Sequence, residues 1–427
     1  MVGIGVPDRS LTAVSGMVVV TELVDRLGMI GLLDAAIGPI KTRRRGHTGG
    51  QLLIGVAAAQ LAGEEFLVGL DRQRADGAGQ LLAPVPGLGS TTAAGLARRL
   101  RDDQWRAVET GVAAINAAML AALPPARAAV LTETVTIDID TTDVEVYGRR
   151  KRGVAYNYQG QRCGRPHVAS WAETNTTLAA DLLAGNEDPR PHAAELLRRA
   201  LAALPAPARA GRVRLRADAG YFAGELARAA LLAGVQFAIG AKRIAPLWRQ
   251  LAGVADSDWT DAIDMPGAQV AVVEYCPDWW PADTALLIRR VRLDASQVSA
   301  DPRSRRRRTL HPDQRALPIT ELADADAIYG YSFILTNLEV STPEHAAAVE
   351  HWYRHRTSIE NILCATRRPV ISPVQPGGTR REVSGSDGLP SAERLRGQEH
   401  VRKAAVVSRR MERGAAGPAR YGESWIA

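Results

Sequence analysis

The residues best suited to chemistry in this chain are carboxylates placed where strands should end. Residues 135–140 alternate, with Val135, Ile137 and Ile139 on one side and Thr136, Asp138 and Asp140 on the other, the period of a strand. Residues 213–217 form a second strand run that ends at Asp218, just before an Ala-Gly turn. The carboxyl ends of strands in an α/β sheet face the crevice where ligands bind, so Asp140 and Asp218 are placed to act there. Glu360 falls on an expected helix over 343–363, with Arg356 and Tyr353 four and seven residues earlier on one face. Three hard oxygen donors suit Mg2+, and a pair of such ions about 3.5–4 Å apart supports phosphodiester chemistry. A simpler reading stands beside this one: an isolated Asp at a strand end serves as a turn or cap residue, and Glu on a helix is usually solvated.

Other chemistries are poorly represented. The chain has no Walker-type phosphate loop, no Gly-x-Ser-x-Gly turn and no His-Glu-x-x-His zinc motif. Its three cysteines, Cys163, Cys276 and Cys364, are too few and too scattered for a disulfide framework or a cysteine zinc site, and they suit a reducing cytosol. No signal peptide is expected at the start, and the best apolar run, 52–62, is too short to span a bilayer.

These residues need a scaffold, and the sequence pattern supplies one. Residues 11–130 read mostly as helix, over 18–33, 51–70 and 91–123, with breaks at 46–50 and 84–89. From 135 the pattern changes. Strands are expected at 135–140, 143–147, 154–161, 167–173, 213–217 and 235–241, with helices at 189–204 and 223–233, which argues an α/β class with a partly parallel sheet. Further strands at 270–275, 285–291 and 331–337 make a β-rich insertion. The helix at 343–363 should be capped by Ser341 or Thr342.

Charge gives a divided message. The 427 residues carry a formal +7, but 364–427 hold +6 of it, leaving the body nearly neutral. Nucleic-acid binding by the body would therefore need local clusters. Three exist: Lys41 with Arg43 to Arg45, Arg149 to Arg152, and Arg303 with Arg305 to Arg308. The third, in particular Arg305, Arg306, Arg307 and Arg308, is the expected contact to a DNA backbone, its alternative being a solvated loop.

Several blocks then fall in an informative order: Thr-Ile-Asp-Ile-Asp-Thr-Thr-Asp at 136–143, Gly-Val-Ala-Tyr-Asn-Tyr-Gln-Gly at 153–160, Gly-Arg-Pro-His at 164–167, Ala-Gly-Asn at 184–186, Arg-Ala-Asp-Ala-Gly-Tyr-Phe at 216–222, and His-Trp-Tyr-Arg-His-Arg-Thr-Ser-Ile-Glu-Asn at 351–361. With these, residues 11–363 resemble DDE-class transposases of bacterial insertion sequences, in the manner of the IS-thirteen-eighty group of the wider IS-four-like set. The resemblance implies an RNase H-like catalytic core interrupted by the β-rich insertion. It implies Asp140, Asp218 and Glu360 as catalytic and metal-binding residues, holding two Mg2+ ions with Mn2+ as a substitute. It prefers Asp140 to Asp138, because the family's first Asp precedes such a Thr-Thr pair. It also implies Tyr353 and Arg356 as DNA contacts, from a Tyr-Arg-Glu-Lys signature in which Arg367 replaces the Lys.

The expected organisation is thus a helical region at 1–130 suited to DNA binding, the first part of the core at 131–260, the insertion at 261–340, a closing core helix at 341–363 and a divergent, disordered Arg/Gly/Pro-rich tail at 364–427. The abrupt change of composition at Cys364 suggests a frameshift near that codon. The expected function is cutting and rejoining DNA at terminal inverted repeats, by a homodimer, in the cytoplasm and away from membranes. The alternative is a truncated or frameshifted copy that only binds the repeats.

Overall fold

The computed structural model describes Asp8 and residues 10–43, 45–64, 66–146, 153–293, 328–357 and 359. Glu360, Arg149 to Arg152, the Arg run at 303–308 and the whole 364–427 tail lie outside these residues.

Helices open the chain: α1 (Met17–Arg26), α2 (Met29–Ile37), α3 (Gly49–Leu61), α4 (Gly69–Ala75), α5 (Gly77–Leu82), α6 (Ser90–Ala97), α7 (Asp102–Ala121) and α8 (Pro125–Glu133). The three long helices read from the sequence are therefore each divided. The first breaks at Gly28, whose φ of +61° lies in the left-handed region that interrupts a helix at little cost to glycine. Thr48 starts α3 with a capping box: its hydroxyl accepts from Gln51 N, and the Gln51 side chain accepts from Thr48 N. Leu33, Ile37, Leu52, Leu88, Leu96 and Val108 make this region's own core.

The sheet begins with β1 (Thr134–Thr141), followed by β2 (Val144–Glu145), β3 (Ala155–Tyr156), β4 (Arg162–Trp171) and β5 (Thr176–Ala184). Next come α9 (Arg190–Ala203), α10 (Ala206–Ala210), β6 (Arg212–Ala217), α11 (Gly224–Leu232), β7 (Gln236–Ala241) and α12 (Ala245–Ala252). The last elements are β8 (Thr260–Asp261), β9 (Ala268–Glu274), β10 (Ala285–Leu293), β11 (Ile328–Thr336) and α13 (Pro343–Arg354). Among the described residues these strands form one 11-stranded sheet. β1 is central, antiparallel to β4 and parallel to β6, and β6 is parallel to β7. β4 also pairs with β2, β3 and β5. The strands of the expected insertion continue the same sheet, because β11 pairs antiparallel with β7 and is followed outward by β10, β9 and β8.

The two faces of the sheet are covered differently. Val135, Ile137 and Ile139 join Leu196 and Leu197 of α9 and Leu226 of α11 in the main core. The other face meets α13, where Ala346 and Tyr353 pack with Ala238, Leu287 and Ile334. α7 closes the outer margin of β5: the Glu109 carboxylate accepts from Ala180 N at 3.1 Å, and Asn116 Nδ2 donates to Thr177 O at 3.3 Å. Seven residues apart, these two side chains share one face of α7, so one helix covers an edge that would otherwise show open ladder groups. No helix among the described residues is long and apolar enough to cross a membrane.

Candidate active site

β1 and β6 are parallel neighbours with Ile139 opposite Ala217, so Asp140 and Asp218 each follow one residue beyond the same rung. Side chains alternate along a strand, which puts both acids on the α13 face, at the carboxyl ends of adjacent strands. Asp140 is held by its own turn, its Oδ1 accepting from Thr141 N at 2.7 Å. Asp218 opens the 3-10 turn Ala219–Tyr221, its Oδ1 accepting from Gly220 N at 2.7 Å. β7 gives this turn room at Gly240, where an added Cβ would stand 2.8 Å from Ala219 N and 2.5 Å from the Tyr353 hydroxyl. Tyr221, buried beneath the turn, has its phenol pushed well up, first by burial and then by the negative charges of Asp140 and Asp218.

Asp138 has a different environment. It is 1% exposed, and Arg216, 4% exposed, grips it with two parallel hydrogen bonds, Nε to Oδ1 at 2.6 Å and Nη2 to Oδ2 at 2.8 Å. Burial pushes the Asp138 carboxyl up while Arg216 opposes that shift. Asp138 is thus committed to a cross-strand ion pair, one pleat below Asp140.

The closing helix arrives on this face. The Arg216 Nη1 donates to Trp352 O at 2.6 Å, and Trp352 Nε1 donates to Thr136 Oγ1 at 3.2 Å. Tyr353 is 9% exposed and its hydroxyl donates to Ala217 O at 3.1 Å, the carbonyl just before Asp218. The Tyr353 ring therefore faces the sheet rather than solvent. Burial pushes its phenol up, with Arg356 opposing and Asp218 reinforcing the shift. The helix expected over 343–363 is interrupted within the described residues. It ends at Arg354 and passes into a 3-10 turn, His355–Thr357. The Trp352 carbonyl, the acceptor that an unbroken α-helix offers to residue 356, accepts instead from the His355 N–H and from Arg216. Arg356 consequently sits in the turn, its guanidinium 5.6 Å from the Tyr353 ring centre and electrostatically coupled to Asp138.

Ile359, next to Glu360 in the chain, is 1% exposed and packs on Val168 and Ala180. Val168 is the ladder partner of Asp140, so the polypeptide reaches the Asp140 end of the sheet one residue before Glu360. Two of the three expected carboxylates are thus brought together, and the third lies outside the described residues. Among the described residues no group of three or more His, Cys, Asp or Glu forms a metal cluster. Of the basic groups, Lys41 is turned into its own loop, its ammonium donating to the carbonyls of Arg45 and His47.

Sequence reasoning missed Arg216 and Trp352, although Arg216 stands in one of the quoted blocks. Its signal was positional: two residues before Asp218, it had to share that acid's face.

The chain matches the family described as Transposase DDE domain group 1 over residues 6–303. The chain belongs to that family. This gives it a transposase function and with it a DNA substrate. The match covers the helical region and both aspartate strands and stops short of α13. No curated protein gives a match to the chain.

Proposed function

We propose that this transposase nicks DNA at the terminal inverted repeats of its element and joins the freed 3′ ends to new DNA, using two Mg2+ ions held by Asp140, Asp218 and Glu360, with Mn2+ as a substitute. The observation that carries the reading is the shared rung of β1 and β6, which sets two carboxylates side by side at adjacent strand ends. Two such acids with no cation between them would repel, and hard oxygen donors are the set that Mg2+ prefers. Bound metal would supply Lewis-acid activation of the attacking oxygen and neutralise charge gathering on the phosphate. The approach of Ile359 to Val168 supports Glu360 as the third donor.

The core is RNase H-like in this reading. Its support is the succession β5, β4, β1, β6, β7, antiparallel through β1 and parallel after it, with α9 and α11 as the crossovers. Arg356 meets the phosphate next to the cleaved bond through its planar guanidinium. Tyr353 contributes by holding the Ala217 carbonyl, and through it the Asp218 turn. Arg305 to Arg308 contact the DNA backbone. The protein acts as a homodimer in the bacterial cytoplasm.

The test is nicking of a plasmid that carries the DNA flanking the gene, with Mg2+ or Mn2+. Asp140→Asn and Asp218→Asn should each reduce nicking to background while leaving DNA affinity within a few-fold. Retention of nicking in either variant would sink the assignment. Repeat binding without nicking by the wild type would instead mark an impaired copy that only holds its ends.

A further inference from the structure

We propose that Asp138 and Arg216 are a clamp that fixes the closing helix against Asp140 and Asp218, making both of them positioning residues for metal capture; the metal part of this proposal rests on the function proposed above.

The argument begins with the pair's position. Asp138 lies two residues before Asp140, and Arg216 two before Asp218, so the clamp repeats the carboxylate rung one pleat lower on the same face. A buried ion pair adds little stability over apolar side chains of similar volume, because desolvation offsets the attraction. What it does supply is geometry. The guanidinium is a rigid planar fork that meets a carboxylate with two parallel bonds and still has donors to spare. Here Nε and Nη2 hold Asp138, and Nη1 holds the Trp352 carbonyl. One side chain thus ties together β1, β6 and the end of α13.

The surroundings sharpen the grip. The guanidinium of Arg216 stands 5.2 Å from the Trp352 ring centre, and that of Arg214 stands 5.6 Å away. Trp352 Nε1 is fixed by Thr136, and the adjacent Tyr353 is fixed by Ala217 O. The carbonyl taken by Arg216 is the one at which the α-helix gives way to the 3-10 turn bearing Arg356. The side chain that joins the two aspartate strands therefore also holds the carbonyl at which the helix changes form.

Two variants of the full-length protein test the clamp. Arg216→Lys keeps the charge and loses the fork. The double variant Asp138→Leu with Arg216→Met replaces the pair by apolar volume. Amide hydrogen exchange at residues 352–357, measured without metal or DNA, should accelerate at least about tenfold in both. Mn2+ affinity, followed by electron paramagnetic resonance of the free ion, should weaken on the order of 10-fold to 100-fold, as when supporting contacts behind metal ligands are removed. Single-turnover nicking should fall on the order of a hundredfold while KM for DNA stays within about twofold, the mark of misplaced chemistry rather than lost binding. Wild-type exchange at 352–357 together with wild-type Mn2+ affinity in either folded variant would overturn the clamp. If the double variant does not fold, the same two measurements on Arg216→Lys decide. A wild-type protein that binds no Mn2+ would overturn the metal reading, and the exchange comparison would still decide whether the clamp exists.

Discussion

Arg199 and Arg216 do similar electrostatic work on opposite faces of one sheet, with different consequences. Arg199, on α9, pairs with Asp181 of β5 and reaches Glu109 of α7 at 3.2 Å. It joins the N-terminal helical region to the margin of the sheet and keeps a fifth of its side chain exposed. Burial pushes the carboxyls of Glu109 and Asp181 up, with Arg199 opposing in both. Arg216 is sealed, reaches Asp138 through two bonds under 3 Å, and lies beneath the strand ends where the acids emerge. Similar chemistry therefore fastens a neighbouring region on one face and, in the proposed function, aligns the reaction centre on the other. What separates the roles is whether the joined strands carry acids at their carboxyl ends, as β1 and β6 do with Asp140 and Asp218.

The largest effect that could break this contrast is expected from Arg199→Met. It leaves Asp181 and Glu109 without their cation, and should cost about 3 kcal/mol in urea denaturation. Nicking per folded molecule should be unchanged. A loss of rate matching that of Arg216→Lys would erase the distinction between fastening and aligning.

Acid should expose the Arg199 face first. His167 is fully buried, stacked on Tyr221 at 5.6 Å between ring centres, with neither ring nitrogen hydrogen-bonded among the described residues. Its pKa is lowered to about 3, chiefly by burial and further by His192 and Arg199. A folded-state pKa below the unfolded value means that the unfolded chain takes up the proton first. The stability gained from neutral His167 is therefore full above pH ~6.5 and drains as pH falls toward 3, by at most about 1.4 kcal/mol per pH unit. His167→Phe, which keeps the ring stack, should flatten this part of a stability-versus-pH curve. An unchanged slope would place the acid sensitivity elsewhere.

The smallest effect sharpens the picture of α13. Thr342 caps its start, the hydroxyl accepting from His345 N at 3.2 Å. Thr342→Ala should lower stability by about 1 kcal/mol and leave nicking intact, because the aligned end is the other one. A large loss of rate from this variant would mean that the whole helix, rather than its last turn, is held in register.

Much of this arrangement was legible in the sequence where the pattern is local. The alternation at 135–140, the strand run at 213–217 and the apolar run at 235–241 marked the parallel strands, and Thr342 with Pro343 marked the start of α13. β5 was not legible. Its sequence, Thr-Thr-Leu-Ala-Ala-Asp-Leu-Leu-Ala, is buried on both faces along most of its length, so it lacks a period of two, and Ala and Leu favour helix. Neither was the end of α13, because no Gly or Pro marks it and the side chain that shares the Trp352 carbonyl is 136 positions away in the chain. The site shows the same division. Asp140 and Asp218 follow from strand endings, whereas the commitment of Asp138 to Arg216 depends on a contact spanning 78 positions.

The sealing of β5 by Glu109 and Asn116 has a consequence for how copies of this protein can gather. A broad sheet invites growth by strand addition at its margins, which is how swapped and fibrous assemblies form. One margin here presents the side chains of a helix, and β8, at the far end of the sheet order, is only two residues long. Among the described residues, neither β5 nor β8 therefore offers another chain a long open ladder to extend. Contacts between copies at these two margins would fall to side chains, and such contacts can be made and released without unravelling the sheet.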